Sequence, residues 1–175
     1  MKHWKTPLLA LLAGWGMPVF GATATENELK AAYLFQFSQF VAWPESAWRD
    51  PDRPFVIGIV GESPLEPVLN RMIQGEQAAG RPIEIRRLAP TADARGCQIL
   101  YFPPGREIAL PADLGLLPIL TVGEAENFLG SGGVIRFKLS HNRIKLHINL
   151  AEAESRRLAF SSKLLRIADK VERRP

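Results

Sequence analysis

The side chains from which a nucleophile and its base would be drawn are few. The sequence holds one cysteine, Cys97, three histidines, and the adjacent serines Ser161 and Ser162. Cys97 opens the apolar segment CQILYFP, which reads as a buried strand, so its thiol is placed as a small core hydrophobe. With one cysteine no internal disulfide can form. Neither serine stands in G-x-S-x-G. His141 falls in a predicted turn and His147 on the polar face of a predicted strand. No H-E-x-x-H or other close metal-ligand spacing occurs. No catalytic residue, cofactor site or metal site is assigned, and the expected class is not an enzyme.

Two groupings could meet an anion instead. In GIVGESP, Gly58 and Gly61 precede a predicted helix start, and Ser63 stands where a cap belongs. Free N–H groups at such a start can hold a phosphate or carboxylate. The G-x-G-x-x-G fingerprint is incomplete and no P-loop lysine follows, so an ordinary strand-to-helix turn is the competing reading. Further on, Arg136, Lys138, Arg143, Lys145 and His147 alternate with apolar residues and form a basic strip. With Arg86 or Arg87 it could face an anionic ligand, or it could be the ordinary blunting of an exposed sheet. The candidate contacts are Ser63, Arg87, Arg143 and Lys145.

The third grouping is aromatic. KAAYLFQFSQFVAWP, from Lys30 to Pro44, carries Tyr33, Phe35, Phe37, Phe40 and Trp43. Lys30, Gln36 and Gln39 interrupt it, so it is an amphipathic helix and not a membrane span. Pro44 is expected to end it, because the residue before proline is pushed out of helical angles. Leu29, Tyr33, Phe37, Phe40 and Val41 are expected to pack inward. Phe35, Trp43 and Trp48 are left as candidate partner contacts, since aromatics bury much area at small entropic cost. A covering helix at the end of the chain, through Leu158, Leu164, Leu165 and Ala168, is the alternative.

The elements that must position these groups follow from periodicity. PFVIGIVG is apolar on both phases, as in a strand buried on two faces. ESPLEPVLNRMIQG reads as a helix capped by Ser63, with Pro64 at its first position and Glu66 completing a capping box. RPIEIRRL, CQILYF and LPILTV read as strands, the last followed by a short helix EAENFLG. GGVIRFKLSHNRIKLHINL alternates strictly around SHN and reads as an antiparallel hairpin. AEAESRRLAFSSKLLRIADKVE is expected to close the chain as one amphipathic helix. The fold class is therefore α/β: a single-domain layered sandwich with a mixed, mostly parallel sheet, helices on both faces, and a C-terminal antiparallel hairpin plus helix.

The start of the chain reads differently. MKHWK is basic, TPLLALLAGWGMPVF is apolar, and Ala22 and Ala24 offer an A-x-A cleavage site. That order is a secretory signal peptide over 1–24, leaving one domain over 25–175 and a periplasmic location. Loss of Lys2 and Lys5 lowers the formal charge from +4 to +2. So weak a balance points to neither nucleic acid nor a strongly anionic surface as partner.

Taken in order, KAAYLFQFSQFVAWP, FVIGIVGESPLEPVLNRM, GRPIEIRRL, CQILYF, ILTVGEAENFLGSGGVIRFKL and RIKLHINLAEAESRRLAFSSKLLRIA resemble the YfiR family (DUF4154 domain). The resemblance runs from about Glu28 to Val171. It implies a small α/β sandwich able to form a homodimer. It also implies a periplasmic regulator that binds the periplasmic sensor region of an inner-membrane signalling protein and represses a diguanylate cyclase. Cyclic-di-GMP and biofilm formation would then fall, and an outer-membrane lipoprotein would act as antagonist. The family's stabilising disulfides do not carry over, because only Cys97 is present. The competing function is a periplasmic small-molecule binding domain that serves a transporter or receptor.

Overall fold

The structure, a computed structural model, describes residues 24–48, 50, 52–89, 94–105, 110 and 112–173. Residues 1–23, where the signal peptide is expected, lie outside the described residues. The strands are β1 (Val41–Ala42), β2 (Phe55–Val60), β3 (Gln77–Ala78), β4 (Arg81–Leu88), β5 (Ile99–Phe102), β6 (Leu120–Gly123), β7 (Ile135–Ser140), β8 (Arg143–Asn149), β9 (Ala159–Phe160) and β10 (Lys170–Glu172). The helices are α1 (Glu26–Phe40), α2 (Glu66–Ile73), α3 (Leu150–Ser155) and α4 (Ser162–Ile167).

One sheet runs β10-β8-β7-β6-β5-β2-β4-β3, and a separate ribbon pairs β1 with β9. β4, β2, β5, β6 and β7 are mutually parallel, whereas β7–β8 and β3–β4 are antiparallel. The result is the mixed, mostly parallel sheet that the apolar runs predict. β2 is buried at every position and divides its side chains between two cores. Phe55, Ile57 and Ile59 enter the larger core with α1, α2 and α4, while Val56 and Val60 enter a smaller one. The smaller core is closed by a 3-10 helix over Ala112–Leu116, through Leu114, and by the ring of Phe128.

α1 starts where Thr25 and Glu28 satisfy each other. Glu28 N donates to Thr25 Oγ1 at 3.3 Å and Thr25 N donates to the Glu28 carboxylate at 2.7 Å. It ends at Phe40, before Pro44 can act, because β9 captures Val41 and Ala42 as a strand. Its buried residues are Lys30, Ala31, Leu34, Phe37 and Ser38. Phe37 and Val41 are inward as expected, but Leu29, Tyr33 and Phe40 are only half-buried, and Leu34 takes the central place. The difference arises because α1 is wedged between α2, α4 and the sheet, so its apolar surface is spread around the helix. Tyr33 and Phe37 meet Phe137 of β7 at ring distances of 5.9 and 6.0 Å.

Other elements depart from expectation for local reasons. α2 begins at Glu66, after a turn in which Ser63 Oγ accepts from Leu65 N at 3.3 Å. Pro64 thus sits in that turn, and Glu66 reaches Arg87 instead of completing a capping box. EAENFLG forms turns, because Phe128 must fold back between Gly123 and Gly133. A Cβ on either glycine would come within 2.4 or 2.3 Å of that ring. The β7–β8 hairpin closes through His141 and Asn142, whose φ values of 50° and 57° give the doubly left-handed turn that matches strand twist.

The single closing helix does not form. α3, capped by Asn149, stops at Arg156, and Arg157 has φ 59°. β9, α4 and β10 then follow, with Ser161 Oγ capping α4 by accepting from Leu164 N at 3.3 Å. Arg156 explains the break: the residue is buried, and its side chain anchors the chain to the start of β6.

Candidate functional site

Past α1 the chain turns a corner through Trp43, Pro44, a 3-10 helix over Glu45–Ala47, and Trp48. Both tryptophans flank Phe55 at the head of β2. Trp43 meets its ring edge-on at 5.0 Å, and Trp48 lies tilted at 6.2 Å. The Trp43 indole N–H donates to Gln98 O at 3.1 Å. Gln98 is itself 3% exposed; its Oε1 accepts from Val56 N at 2.7 Å and its Nε2 donates to Ala47 O at 3.4 Å. One amide therefore ties β2, the corner and the entrance of β5 together. The Arg81 guanidinium lies 4.6 Å from the Trp48 ring centroid. It also donates to Asp50 O at 2.9 Å and Arg53 O at 2.6 Å. The corner is held in a fixed shape by these bonds and by ring packing.

Beside Trp48 opens a cleft of about 300 Å³ at the amino ends of β2, β5 and β6. Its walls include Trp48, Val56, Cys97 and Ile119, and its rim includes Arg53, Arg86 and Arg95. Register places Glu84 beside Val56 and Arg86 beside Gly58. Both therefore stand on the face that carries the smaller core, over the part of the sheet that the 3-10 helix leaves open. Gly58 is a packing position: a Cβ there would lie 3.0 Å from both Cys97 Sγ and Leu100 Cδ1. Cys97 is 3% exposed, in line with its expected place as a core hydrophobe.

A second polar centre sits at the opposite, carboxyl ends of the strands. Lys30 Nζ pairs with Glu124 Oε2 at 2.7 Å and also with Glu26. The Tyr101 hydroxyl donates to the other oxygen of Glu124. Burial, and then the Glu124 charge, push the Tyr101 phenol far above its ordinary range. Lys30, which interrupts the apolar run of the first helix, is buried and anchors α1 to the turn after β6. The arrangement is a fully committed network, with each charge already partnered.

The candidate anion contacts do not converge. Arg87 pairs with Glu66 at 2.8 Å and approaches Glu62 at 3.7 Å, so it lies against the loop that carries Ser63. Gly61 N, the donor a phosphate cradle would need, donates to Leu88 O at 2.7 Å. Arg143 and Lys145 lie on β8, five strand spacings from β4, roughly 24 Å away. Lys145 faces Asp169 at 4.0 Å. His147 stands between Arg136 and Lys170 on neighbouring strands. Burial, then Lys138, Arg136 and Lys170, lower its pKa below the usual 6.5. Among the described residues no hydrogen bond joins Ser161 or Ser162 to a histidine, and no cluster of His, Cys, Asp and Glu could hold a metal.

Of the aromatic candidates, Trp43 and Trp48 come together and Phe35 does not; all three are half-buried and pack on the larger core. Arg53, Arg95 and Gln98 were not singled out from the sequence. Only Gln98 carried a signal, as a polar residue at the head of an otherwise apolar strand.

This is a single-domain α/β protein in which the polar centre at the carboxyl ends is self-paired and the cleft beside Trp48 is open. The chain belongs to the YfiR/HmsC-like family (DUF4154), whose model matches residues 27–169, from α1 to the residue before β10. At family level these are periplasmic regulators of diguanylate cyclases and not catalysts. A search of curated proteins returns no match. No helix among the described residues is long and apolar enough to cross a membrane.

Proposed function

We propose that this protein, exported by cleavage of the segment 1–24, is a periplasmic inhibitory subunit. It binds the periplasmic sensor region of an inner-membrane diguanylate cyclase and holds down cyclic-di-GMP and, with it, biofilm formation. The observation that carries this reading is the family match, which spans α1 through α4, all of the packed unit but β10, and not one motif. An outer-membrane lipoprotein is the expected antagonist, and the fold is expected to be able to form a homodimer. Partner contact is assigned to the solvent-facing edges of Phe35, Trp43 and Trp48. Half-buried aromatics held by their inner faces meet a partner with little further loss of side-chain freedom.

The test is genetic and then physical. Deleting the gene should raise cyclic-di-GMP and surface attachment, and the wild-type gene should reverse both. The protein should then co-purify with a membrane cyclase that carries a periplasmic sensor region. Unchanged cyclic-di-GMP in the deletion strain would refute the reading. Trp48→Ala should weaken capture of that cyclase by about thirtyfold if the ring is a central contact. Its melting temperature must be measured alongside, because the ring also packs on Phe55.

A further inference from the structure

The cleft beside Trp48 is built before any ligand arrives. Arg81 holds the carbonyls of Asp50 and Arg53 while lying on the Trp48 ring, which fixes one wall. Gln98 fixes the floor by binding Val56 N and Ala47 O. The volume of about 300 Å³ stands at the lower end for small-molecule sites. Apolar side chains line part of its interior: Val56 and Ile119, each 2% exposed, and the half-buried Trp48. Its rim carries three guanidiniums, of Arg53, Arg86 and Arg95, against the carboxylates of Asp50 and Glu84. Asp50 is already engaged: its Oδ1 accepts from Asp52 N at 3.0 Å. Among the described residues, neither Arg53 nor Arg86 pairs with a carboxylate through its guanidinium.

Apolar side chains inside, with the guanidiniums of Arg53 and Arg86 at the mouth, suit one kind of molecule. We propose that the cleft binds a small organic anion, a carboxylate or a phosphate monoester, with its apolar body against Trp48, Val56 and Ile119. The oxyanion lies at the rim, where Arg86 and Arg53 donate to it in the forked geometry that guanidinium groups favour. Gly58 shapes the site indirectly: by letting Cys97 and Leu100 close over β2, it keeps the floor flat beside Arg86. This inference stands on the cleft alone and holds whatever the membrane partner is.

The test uses purified protein and no membrane. Phenyl phosphate and phenylacetate are titrated separately while tryptophan emission is followed. Inorganic phosphate and benzyl alcohol supply the charge and the apolar body alone. A saturable change with phenyl phosphate or phenylacetate is expected, and whichever binds tighter tells phosphate from carboxylate. Arg86→Gln should weaken it about tenfold or more. Each half-probe should bind at least about tenfold more weakly than the whole. Both arginine positions are exposed, so Arg53→Gln and Arg86→Gln should melt with the wild type. If one does not, the corresponding lysine variant takes its place and should bind with intermediate affinity. The proposal is overturned if neither anion saturates by about 10 mM, if the doubly substituted protein binds as well as wild type, or if either half-probe binds as tightly as the whole.

Discussion

Arg156→Ala should be among the most damaging single changes in the protein, although the sequence places Arg156 in a charged run. Its side chain is 1% exposed and uses all three guanidinium nitrogens. Nη1 donates to Ile119 O at 3.1 Å and Thr121 Oγ1 at 3.4 Å. Nη2 donates to Gly132 O at 2.6 Å and pairs with Glu152 at 2.8 Å, and Nε donates to the same carboxylate at 3.1 Å. Truncation strands buried carbonyls, at about 1–3 kcal/mol each, and breaks an ion pair whose loss from one side costs about 3–5 kcal/mol. These terms overlap, because Glu152 is 26% exposed and water will reach it, so a total near about 4 kcal/mol is expected. Set against a domain stability of about 5–15 kcal/mol, that removes a large share. At about 2–4 °C per kcal/mol the melting temperature falls by roughly 8–16 °C. Urea unfolding followed by tryptophan emission should show the same loss as a lower midpoint at unchanged slope. Arg156→Lys should fall between, since an ammonium cannot span Ile119, Gly132 and Glu152 together. Adding Glu152→Ala to Arg156→Ala should cost almost nothing more. A melting shift under about 2 °C for Arg156→Ala would refute the reasoning.

The other expectations can be checked with similar tools. Gly58→Ala should cost about 1–3 kcal/mol by overpacking against Cys97 and Leu100, and Cys97→Ala should restore part of it; equal melting of all three proteins would contradict this. A thiol reagent should label Cys97 in folded protein far more slowly than in urea. His147 has a folded pKa held below the unfolded one, so the unfolded state takes up the proton first and stability is lost as pH falls through about 6.5; His147→Gln should flatten that slope in melting curves taken from pH 8 to 5. Tyr101 should give no phenolate absorbance in alkali until the protein unfolds.

Periodicity disclosed the fold wherever a whole element shares one environment. β2 is apolar on both phases because it is buried on both faces, and the alternation of 135–148 marks a hairpin with one wet side. Periodicity failed where one residue overrides its neighbours. The C-terminal run has helical spacing throughout, yet burial of Arg156 stops α3, and pairing of β9 with β1 takes the next residues. Neither can be seen locally, since Arg156 finds Ile119, Thr121 and Gly132 from more than twenty residues away. Lys30 is the same case: its partner Glu124 lies 94 residues on. A long-range ion pair leaves no period in the chain.

The candidate site was hidden for a related reason. The glycine-bearing turn after β2 draws attention to the carboxyl ends of the strands, where open α/β sheets usually bind ligands. In this protein those ends are filled by Lys30, Glu124 and Tyr101, and Gly61 N is spent on Leu88. The open space lies at the amino ends instead, where the corner after α1 and the entrances of β5 and β6 leave a gap over β4. Arg53, Arg86 and Arg95 reach it from three separate segments, each of which alone reads as solvated surface. Trp48 was visible as an aromatic without an assigned neighbour. What the fold adds is that Arg81 fixes its ring and sets it as the wall between the cleft and the half-buried aromatic corner. A ligand held against one side of that ring would press on the same side chain that a protein partner would meet, so occupancy of the cleft and capture of a partner should be linked through Trp48.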